Sequence, residues 1–137
     1  MIDFNYLDHF ELQSEKETAS WIQFVLDEED RELGEICYIF CDDDYLSDIN
    51  NKYLKHNTLT DIISFDYSLG KVVSGDIYIS TERVRENARE RDLDVKDELH
   101  RVMIHGILHY VGYKDNSELE KKKMRSKEDY YLSLRTF

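Results

Sequence analysis

Segments with the pattern of β-strands come early in this sequence, and segments with the pattern of helices come late. Residues 2–6 alternate apolar and polar side chains, as a strand with one buried face does. Residues 35–41 carry apolar side chains on both faces, which is typical of a central strand that is covered on both sides. Two further strands, at 61–67 and 76–80, are separated by a turn at 68–71 and form a predicted hairpin.

Five helices are predicted around these strands from apolar side chains at helical spacing. Ser14 and Glu17 have the spacing of a capping box at a helix start, and so do Ser117 and Glu120. This order predicts an α+β fold in which a small mixed sheet of about four strands packs with about five helices. A single domain over residues 1–137 is expected from the length. The helices are predicted after residue 14, from 42 to about 54, and at 81–92, 95–111 and 117–133.

Composition limits the class of protein. With 35% charged and 41% hydrophobic residues, the chain resembles soluble globular proteins rather than disordered ones. No apolar run is long enough to cross a bilayer and no signal peptide is visible, so no membrane partner is expected. The only two cysteines, Cys37 and Cys41, together with the missing export signal, indicate a cytoplasmic setting.

The net charge of −12 counts against a bulk electrostatic attraction to nucleic acid, because surfaces that bind phosphate are normally basic. Basic residues do cluster at 83–91 and 121–127, but acidic residues are interleaved in both segments. That pattern is typical of the solvated face of a helix. A role on nucleic acid would therefore need a local site, or a partner that delivers the substrate.

The segment from His105 to Asp115 has the pattern of a three-ligand metal site at the end of the penultimate helix. His105 and His109 are four residues apart, so they share one helix face and can bind one ion. Gly112 suits a left-handed turn at the helix end, which would bring the Asp115 carboxylate to the same ion. Three protein ligands with an open fourth position are typical of a catalytic site. We expect one divalent ion, first of all Zn²⁺, although imidazole and carboxylate ligands also bind nickel, iron or manganese.

Gly106 stands where the zinc-protease signature H-E-x-x-H carries its general-base glutamate. Without that glutamate, water activation must come mainly from the metal, which argues against a peptidase. A glycine inside a helix also costs about 1 kcal/mol relative to alanine. We therefore expect either a closely packed backbone or a substrate at Gly106.

Three blocks of residues together resemble the YbeY-type endoribonucleases, the bacterial rRNA maturation factors. H-G-I-L-H-Y-V-G-Y at 105–113 is similar to the family signature H-G-x-L-H-x-x-G-Y-D-H. The residues N-N-K-Y at 50–53 and T-D-I-I-S-F at 60–65 resemble the family segment L-N-x-x-Y-R…T-D-V-L-S-F. G-D-I-Y-I at 75–79 is similar to its G-D-I-x-I strand. The order and spacing of the blocks fit the family over about residues 34–130.

The resemblance implies metal-dependent hydrolysis of single-stranded RNA in rRNA maturation, especially at the small-subunit 3′ end, and in ribosome quality control. It makes His105, His109 and Asp115 catalytic through a water that their metal ion holds. Its implied partners are an rRNA precursor and the ribosome or a ribosomal protein, and DNA is not expected. It implies a role in the site for Thr60 and Asp61. From their residue types, Ser64 and Asp76 could in addition be hydrogen-bond partners of the ligand histidines.

Three positions depart from the family pattern, and at one of them Lys114 stands where the family has an aspartate. Asp115 replaces the third metal histidine, so part of the ion's charge would be neutralised and a bound water would be slightly less acidic. Leu54 replaces an arginine that the family associates with RNA handling or catalysis, and Lys52, Lys55 or His56 could substitute for it. Two other functions stay open: a metallohydrolase for another substrate such as a peptide, and a non-catalytic ribosome assembly factor whose metal only fastens the last two helices.

Overall fold

The computed structural model describes residues 1–54, apart from the side chain of Leu54, and residues 60–137. Its strands are β1 (Ile2–Tyr6), β2 (Glu32–Cys41), β3 (Ile62–Asp66) and β4 (Val72–Ser80). They form one sheet in the order β1-β2-β4-β3. β2 runs parallel to both β1 and β4, whereas β3 and β4 form the predicted antiparallel hairpin. The sheet is therefore mixed, with β2 and β4 in its centre.

In the described part of the chain, five α-helices accompany the sheet: α1 (Glu15–Glu28), α2 (Asp43–Ile49), α3 (Thr81–Glu90), α4 (Val95–Tyr110) and α5 (Glu118–Ser133). α2 runs directly into a π-helical turn over Asn50–Leu54. This architecture confirms the predicted α+β fold with a small mixed sheet. Across residues 1–54 and 60–137, no helix has the length and apolar character needed to cross a membrane.

The larger hydrophobic core lies on one face of the sheet, beneath α1 and α4. Ile36, Tyr38 and Phe40 of β2 face this core and are at most 1% exposed. The Tyr38 hydroxyl donates a hydrogen bond to the carbonyl oxygen of Met103 in α4, at 3.0 Å. A smaller cluster around Cys41 lies beneath α2. The second apolar face of β2 is thus covered at Cys41, as the sequence pattern predicted, whereas Cys37 on the same face is only half-buried.

Both central strands begin earlier than the sequence indicated. β2 starts at Glu32 and β4 at Val72, and the pairing between them shifts register between Leu33 and Ile36. The two strands approach each other closely there: a Cβ on Gly34 would lie only 2.2 Å from the Ser74 side-chain oxygen. Glycine and charged residues at this irregular pairing hide the alternation that marks a strand.

The two predicted capping boxes have different outcomes. Ser117 accepts from the backbone N–H of Glu120 at 3.1 Å, and the Glu120 side chain accepts from the N–H of Ser117 at 2.9 Å. The prediction at Ser14 is wrong, because its backbone angles differ from those of a capping residue and its side chain makes no cap hydrogen bond. Its carbonyl oxygen instead accepts from the hydroxyl of Thr18 at 2.6 Å.

Two glycines allow α4 to pack tightly on the sheet. A Cβ on Gly106 would lie 3.1 Å from Ile62 Cδ1 and 3.2 Å from Ile77 Cδ1. The close neighbours of Gly106 are therefore side chains of the sheet rather than the closely packed backbone that was expected. The alternative, that a substrate lies at Gly106, stays a prediction. A Cβ on Gly75 would lie 2.4 Å from the hydroxyl oxygen of Tyr110. That hydroxyl anchors the end of α4 within hydrogen-bonding distance of two backbone carbonyls of β3 and β4.

Candidate metal centre

The last two turns of α4 present two imidazoles to one point. The Nε2 atoms of His105 and His109 lie 3.0 Å apart, because residues four apart on a helix are stacked on one face. Both side chains are partly buried, with 21% and 33% of their surfaces exposed. The helix thus holds both rings in place while leaving one side open to solvent.

Gly112 turns the chain after α4. Its φ of +108° lies in the region that favours glycine. The N–H of Tyr113 donates to the carbonyl oxygen of Leu108 and the N–H of Gly112 to that of His109, both at 3.0 Å. These two bonds form a Schellman motif, which satisfies carbonyls at the helix end and reverses the chain. The reversal brings Asp115 back beside the histidines.

A network around Glu29, at the C-terminus of α1, holds the same turn. The Tyr113 hydroxyl donates to Glu29 Oε1 at 2.8 Å. From α5, the Tyr131 hydroxyl also donates to the Glu29 carboxylate, and Lys127 Nζ lies 3.3 Å from it. Arg31 donates to the carbonyl oxygen of Val111, at 3.1 Å. The loop that carries Asp115 is therefore tied to two helices other than α4.

The three side chains fit a small divalent cation. Asp115 Oδ2 lies 3.3 Å from His105 Nε2 and 3.6 Å from His109 Nε2. With tetrahedral bonds of about 2.0–2.1 Å, neighbouring ligand atoms of zinc lie about 3.3 Å apart. Among the residues that the structure describes, His105, His109 and Asp115 are the group of histidine, cysteine and acidic side chains close enough to hold an ion. Two imidazole nitrogens and one carboxylate oxygen are also a donor set that zinc accepts.

Glu128 of α5 supports this group from behind. Its Oε2 lies 2.6 Å from His105 Nδ1, and its Oε1 accepts a hydrogen bond from Arg101 at 3.0 Å. Burial of the His105 ring opposes its charged form, but the hydrogen bond and negative charge of Glu128, together with Asp115, outweigh burial and raise the pKa of His105. In contrast, burial and the nearby charge of His105 lower the pKa of His109.

The site opens into a cleft of about 430 Å³ between α4, α5 and the start of β3. His105 and Asp115 lie on its wall, so a group bound in the cleft would reach the ligand atoms. The wall carries both signs of charge, which fits the mixed composition of the whole chain. The charged residues of the cleft are the basic Arg91, Arg101, Lys121 and Arg125 and the acidic Asp61, Glu98, Asp115 and Glu128.

Comparison with known proteins decides the family. The family described as Endoribonuclease YbeY matches residues 4–135 of this sequence. The chain belongs to the YbeY family. Endoribonuclease YbeY from Flavobacterium psychrophilum is 57% identical over 134 residues, which cover 98% of this chain and 96% of that protein. Endoribonuclease YbeY from Flavobacterium johnsoniae is 52% identical, with the same coverage of both proteins.

A solved structure shares the fold of this YbeY family member. The solution structure of TM1509 from Thermotoga maritima matches it with a TM-score of 0.68 and 26% sequence identity. The match covers 97% of this chain and 87% of that one. The family match and the two relatives confirm the resemblance that the three sequence blocks indicated.

The other residues of the YbeY-like blocks lie in different places. Asp61 lines the cleft, whereas the Thr60 hydroxyl contacts the backbone of Ile62. Ser64 lies in β3, next to Phe65, whose carbonyl oxygen accepts a hydrogen bond from the Tyr110 hydroxyl. Asp76 precedes Ile77, which faces α4, so alternation along β4 points Asp76 to the opposite face of the sheet.

None of these side chains takes the observed hydrogen bond to His105 Nδ1, which goes to Glu128. A substrate role for Thr60, Asp61, Ser64 and Asp76 stays a prediction. Lys55 and His56 lie outside the described residues, as does the side chain of Leu54.

Sequence reasoning missed Glu128, although the sequence carries a signal for it. Met124, Glu128 and Tyr131 recur at helical spacing, and all three are buried in α5. A carboxylate in an otherwise apolar stripe indicates a buried charge with a partner. Nothing in the sequence names that partner, because His105 is 23 residues away along the chain.

Proposed function

We propose that this protein is a metal-dependent endoribonuclease that hydrolyses single-stranded RNA and acts in rRNA maturation, particularly at the small-subunit 3′ end, and in ribosome quality control. The observation that carries the proposal is the convergence of His105, His109 and Asp115 beside an open cleft, in a chain of the YbeY family. Its relatives are named as endoribonucleases.

His105, His109 and Asp115 would hold the metal, for which we propose Zn²⁺ because of the donor set. When bound, such an ion polarises a phosphoryl oxygen and lowers the pKa of water. The carboxylate of Asp115 keeps the net charge of the site below that of three imidazoles. The three side chains are partly exposed, so one side of a bound ion would be open to the cleft.

The cleft supports an RNA strand through a few local cations rather than a basic surface. Lys121 and Arg125 are more than half exposed and can contact phosphates. Arg101 is only 19% exposed and pairs with two carboxylates of α5, so its part is to hold the cleft together. With a net charge of −12, we propose that a ribosomal partner in the cytoplasm brings the rRNA to the site.

Two other functions have less support. A peptidase would need a general base, and Gly106 occupies the position where zinc proteases carry glutamate. A non-catalytic assembly factor would have no use for ligands that face an open cleft, since structural zinc is usually enclosed by four protein ligands. The endoribonuclease names of the relatives favour RNA over both alternatives.

The test compares cleavage of a single-stranded RNA, a DNA of the same sequence and an unstructured peptide. Each substrate is incubated with protein from which metal has been removed by a chelator, and with the same protein after Zn²⁺ is added. We expect RNA cleavage that requires zinc, disappears in His109→Ala and persists in His9→Ala, a matched change of an exposed histidine. Leu54→Arg should increase the rate, because it restores the cation of the family pattern.

Deleting the gene should leave unprocessed small-subunit rRNA 3′ ends. A copy of the wild-type gene should restore their processing, whereas a copy that carries His109→Ala should not. RNA cleavage that survives in His109→Ala would indicate a contaminating nuclease. Normal rRNA ends in the deletion strain would refute the maturation role and favour the assembly factor.

A further inference from the structure

Glu128 is a buried carboxylate in an apolar helix face. It is 4% exposed and lies between Met124 and Tyr131, which are 2% and 1% exposed. A buried charge is strongly destabilising unless it is paired and hydrogen-bonded. The structure gives each carboxylate oxygen its own partner on α4: Arg101 for Oε1 and His105 for Oε2. Glu128 is therefore held in one orientation.

The bond to Glu128 determines which nitrogen of His105 carries hydrogen. A carboxylate only accepts, so Nδ1 must be the donor in the 2.6 Å contact. The lone pair of the neutral ring is then on Nε2. That atom faces the other two ligand atoms, 3.0 Å from His109 Nε2 and 3.3 Å from Asp115 Oδ2.

We infer that Glu128 is a positioning residue of the metal centre, which fixes the tautomer and ring orientation of His105 so that Nε2 is the ligand atom. Arg101, one turn before His105 on α4, neutralises the charge of the Glu128 carboxylate. The inference rests on the proposed function, because it assumes that the three side chains bind a metal. It assigns to α5 a part in metal binding that the three ligands alone do not reveal.

The experiment measures zinc affinity by competition with a chromophoric chelator, and the visible absorption of bound Co²⁺, in purified full-length protein. Glu128→Met removes the acceptor but keeps the volume and suits an apolar stripe. We expect the variant to fold, because Asp129 remains as a carboxylate partner of Arg101. Glu128→Gln keeps an acceptor oxygen for Nδ1. The matched control is Asp129→Asn, because Asp129 also pairs with Arg101, at 2.8 Å, but is 58% exposed and is not the partner of His105.

We expect Glu128→Met to bind zinc about 10–100-fold more weakly and to change the Co²⁺ spectrum, as is usual when the hydrogen-bond partner of a ligand histidine is removed. Glu128→Gln should recover part of the affinity, and Asp129→Asn should bind like wild type. The free energy of unfolding is measured in chelator for each variant. An affinity loss that is equal in all three variants and follows this free energy would overturn the inference in favour of a structural role.

Ring-nitrogen NMR of the wild-type protein with zinc bound gives a second measurement that needs no variant. It should show hydrogen on His105 Nδ1 and zinc on Nε2, and the reverse assignment would refute the inference. Zinc binding by Glu128→Met within about twofold of wild type would also refute it, while leaving the metal centre intact. Wild-type protein that binds no zinc would overturn the metal centre itself and this inference with it.

Discussion

Asp115 would give the proposed metal centre a negative ligand where the family pattern has a neutral one. Its Oδ2 lies 3.3 and 3.6 Å from the two Nε2 atoms, and the loop that carries it is held by the turn at Gly112. The side chain is 39% exposed, which leaves room for a larger group at the same position. The position is therefore open to exchange of one ligand type for another.

Exchange of Asp115 for another ligand type should separate its role as a ligand from a role in the loop. We expect Asp115→His to retain zinc, because imidazole is also a zinc ligand, and Asp115→Ala to weaken binding at least about tenfold, or about 1.4 kcal/mol. Elemental analysis and chelator competition measure this. Equal zinc contents in wild type and both variants would show that Asp115 only caps the turn or lies at the surface.

His100 should make the stability of the fold depend on pH. Burial, with the positive charges of Arg135 and Lys96, lowers the pKa of His100 from 6.5 to about 4. The unfolded chain thus binds this proton at higher pH than the folded protein does. Stability due to the neutral ring is complete above pH 6.5 and is lost as the pH falls towards 4.

We expect the free energy of unfolding to fall less over this range in His100→Gln than in wild type, by roughly 3 kcal/mol. Urea denaturation above pH 6.5 and near pH 4 measures the difference. His9→Gln, a change at an exposed histidine, is the control and should behave like wild type. Parallel pH curves for wild type and His100→Gln would contradict this assignment.

The clustering of His105, His109 and Asp115 could be predicted at the residue scale because the three proposed ligands lie in one short segment. Helical spacing fixes His105 relative to His109, and the requirement for glycine at a positive φ locates the turn before Asp115. Glu128 and the environment of His100 could not be predicted in this way. Each depends on how α5 and the following residues pack against α4, which no local spacing encodes.

At the scale of elements, α4 joins the sheet to the site. Gly106 brings the helix close to Ile62 and Ile77, and Tyr110 fastens its end to the backbone of β3 and β4. The Schellman turn then directs the chain back across the helix end. The position of Asp115, the proposed third ligand, is thus a consequence of how α4 ends.

Gly112→Ala should reduce both stability and zinc affinity. A side chain at this positive φ costs roughly 1–2 kcal/mol, and relief of that strain would move the loop that carries Asp115. Gly70→Ala is a matched control, since Gly70 also has a positive φ, of +60°, and lies in the β3–β4 turn. Both variants should lose stability in urea denaturation, but only Gly112→Ala should bind zinc more weakly. Unchanged zinc affinity in Gly112→Ala would show that the turn does not position the ligand.

The elements themselves were predictable where their signals are regular. The hairpin of β3 and β4, the central position of β2 and the capped start of α5 follow from alternation and from Ser117 with Glu120. The capping box at Ser14 failed because the same spacing also occurs where the chain enters a helix at other backbone angles. The early starts of β2 and β4 were missed because their irregular pairing near Gly34 is set by the partner strand.

At the scale of the whole molecule, the proposed metal links parts of the fold that lie apart in the sequence. α4 carries two ligands, the following loop carries the third, and α5 supplies Glu128. Metal binding requires these parts to be packed together, so it should stabilise the native state as a whole.

Zinc should therefore raise the melting temperature. A free concentration of one hundred times Kd adds about 2.7 kcal/mol, which is roughly 8–15 °C for a chain of this size. Calorimetry with zinc and with chelator measures the shift, and the double variant His105→Ala/His109→Ala is the control. A shift of equal size in the double variant would place the zinc elsewhere.

The Glu29 network has a consequence for when activity can arise. Tyr113, in the loop before Asp115, is bonded to a carboxylate 84 residues earlier in the chain, and α5 closes over the same carboxylate. A partly folded or damaged molecule that has lost either helix also loses the anchor of its third ligand. Such a molecule would lose the proposed nuclease activity before it could cleave RNA indiscriminately. RNA cleavage should therefore be confined to molecules whose fold is intact.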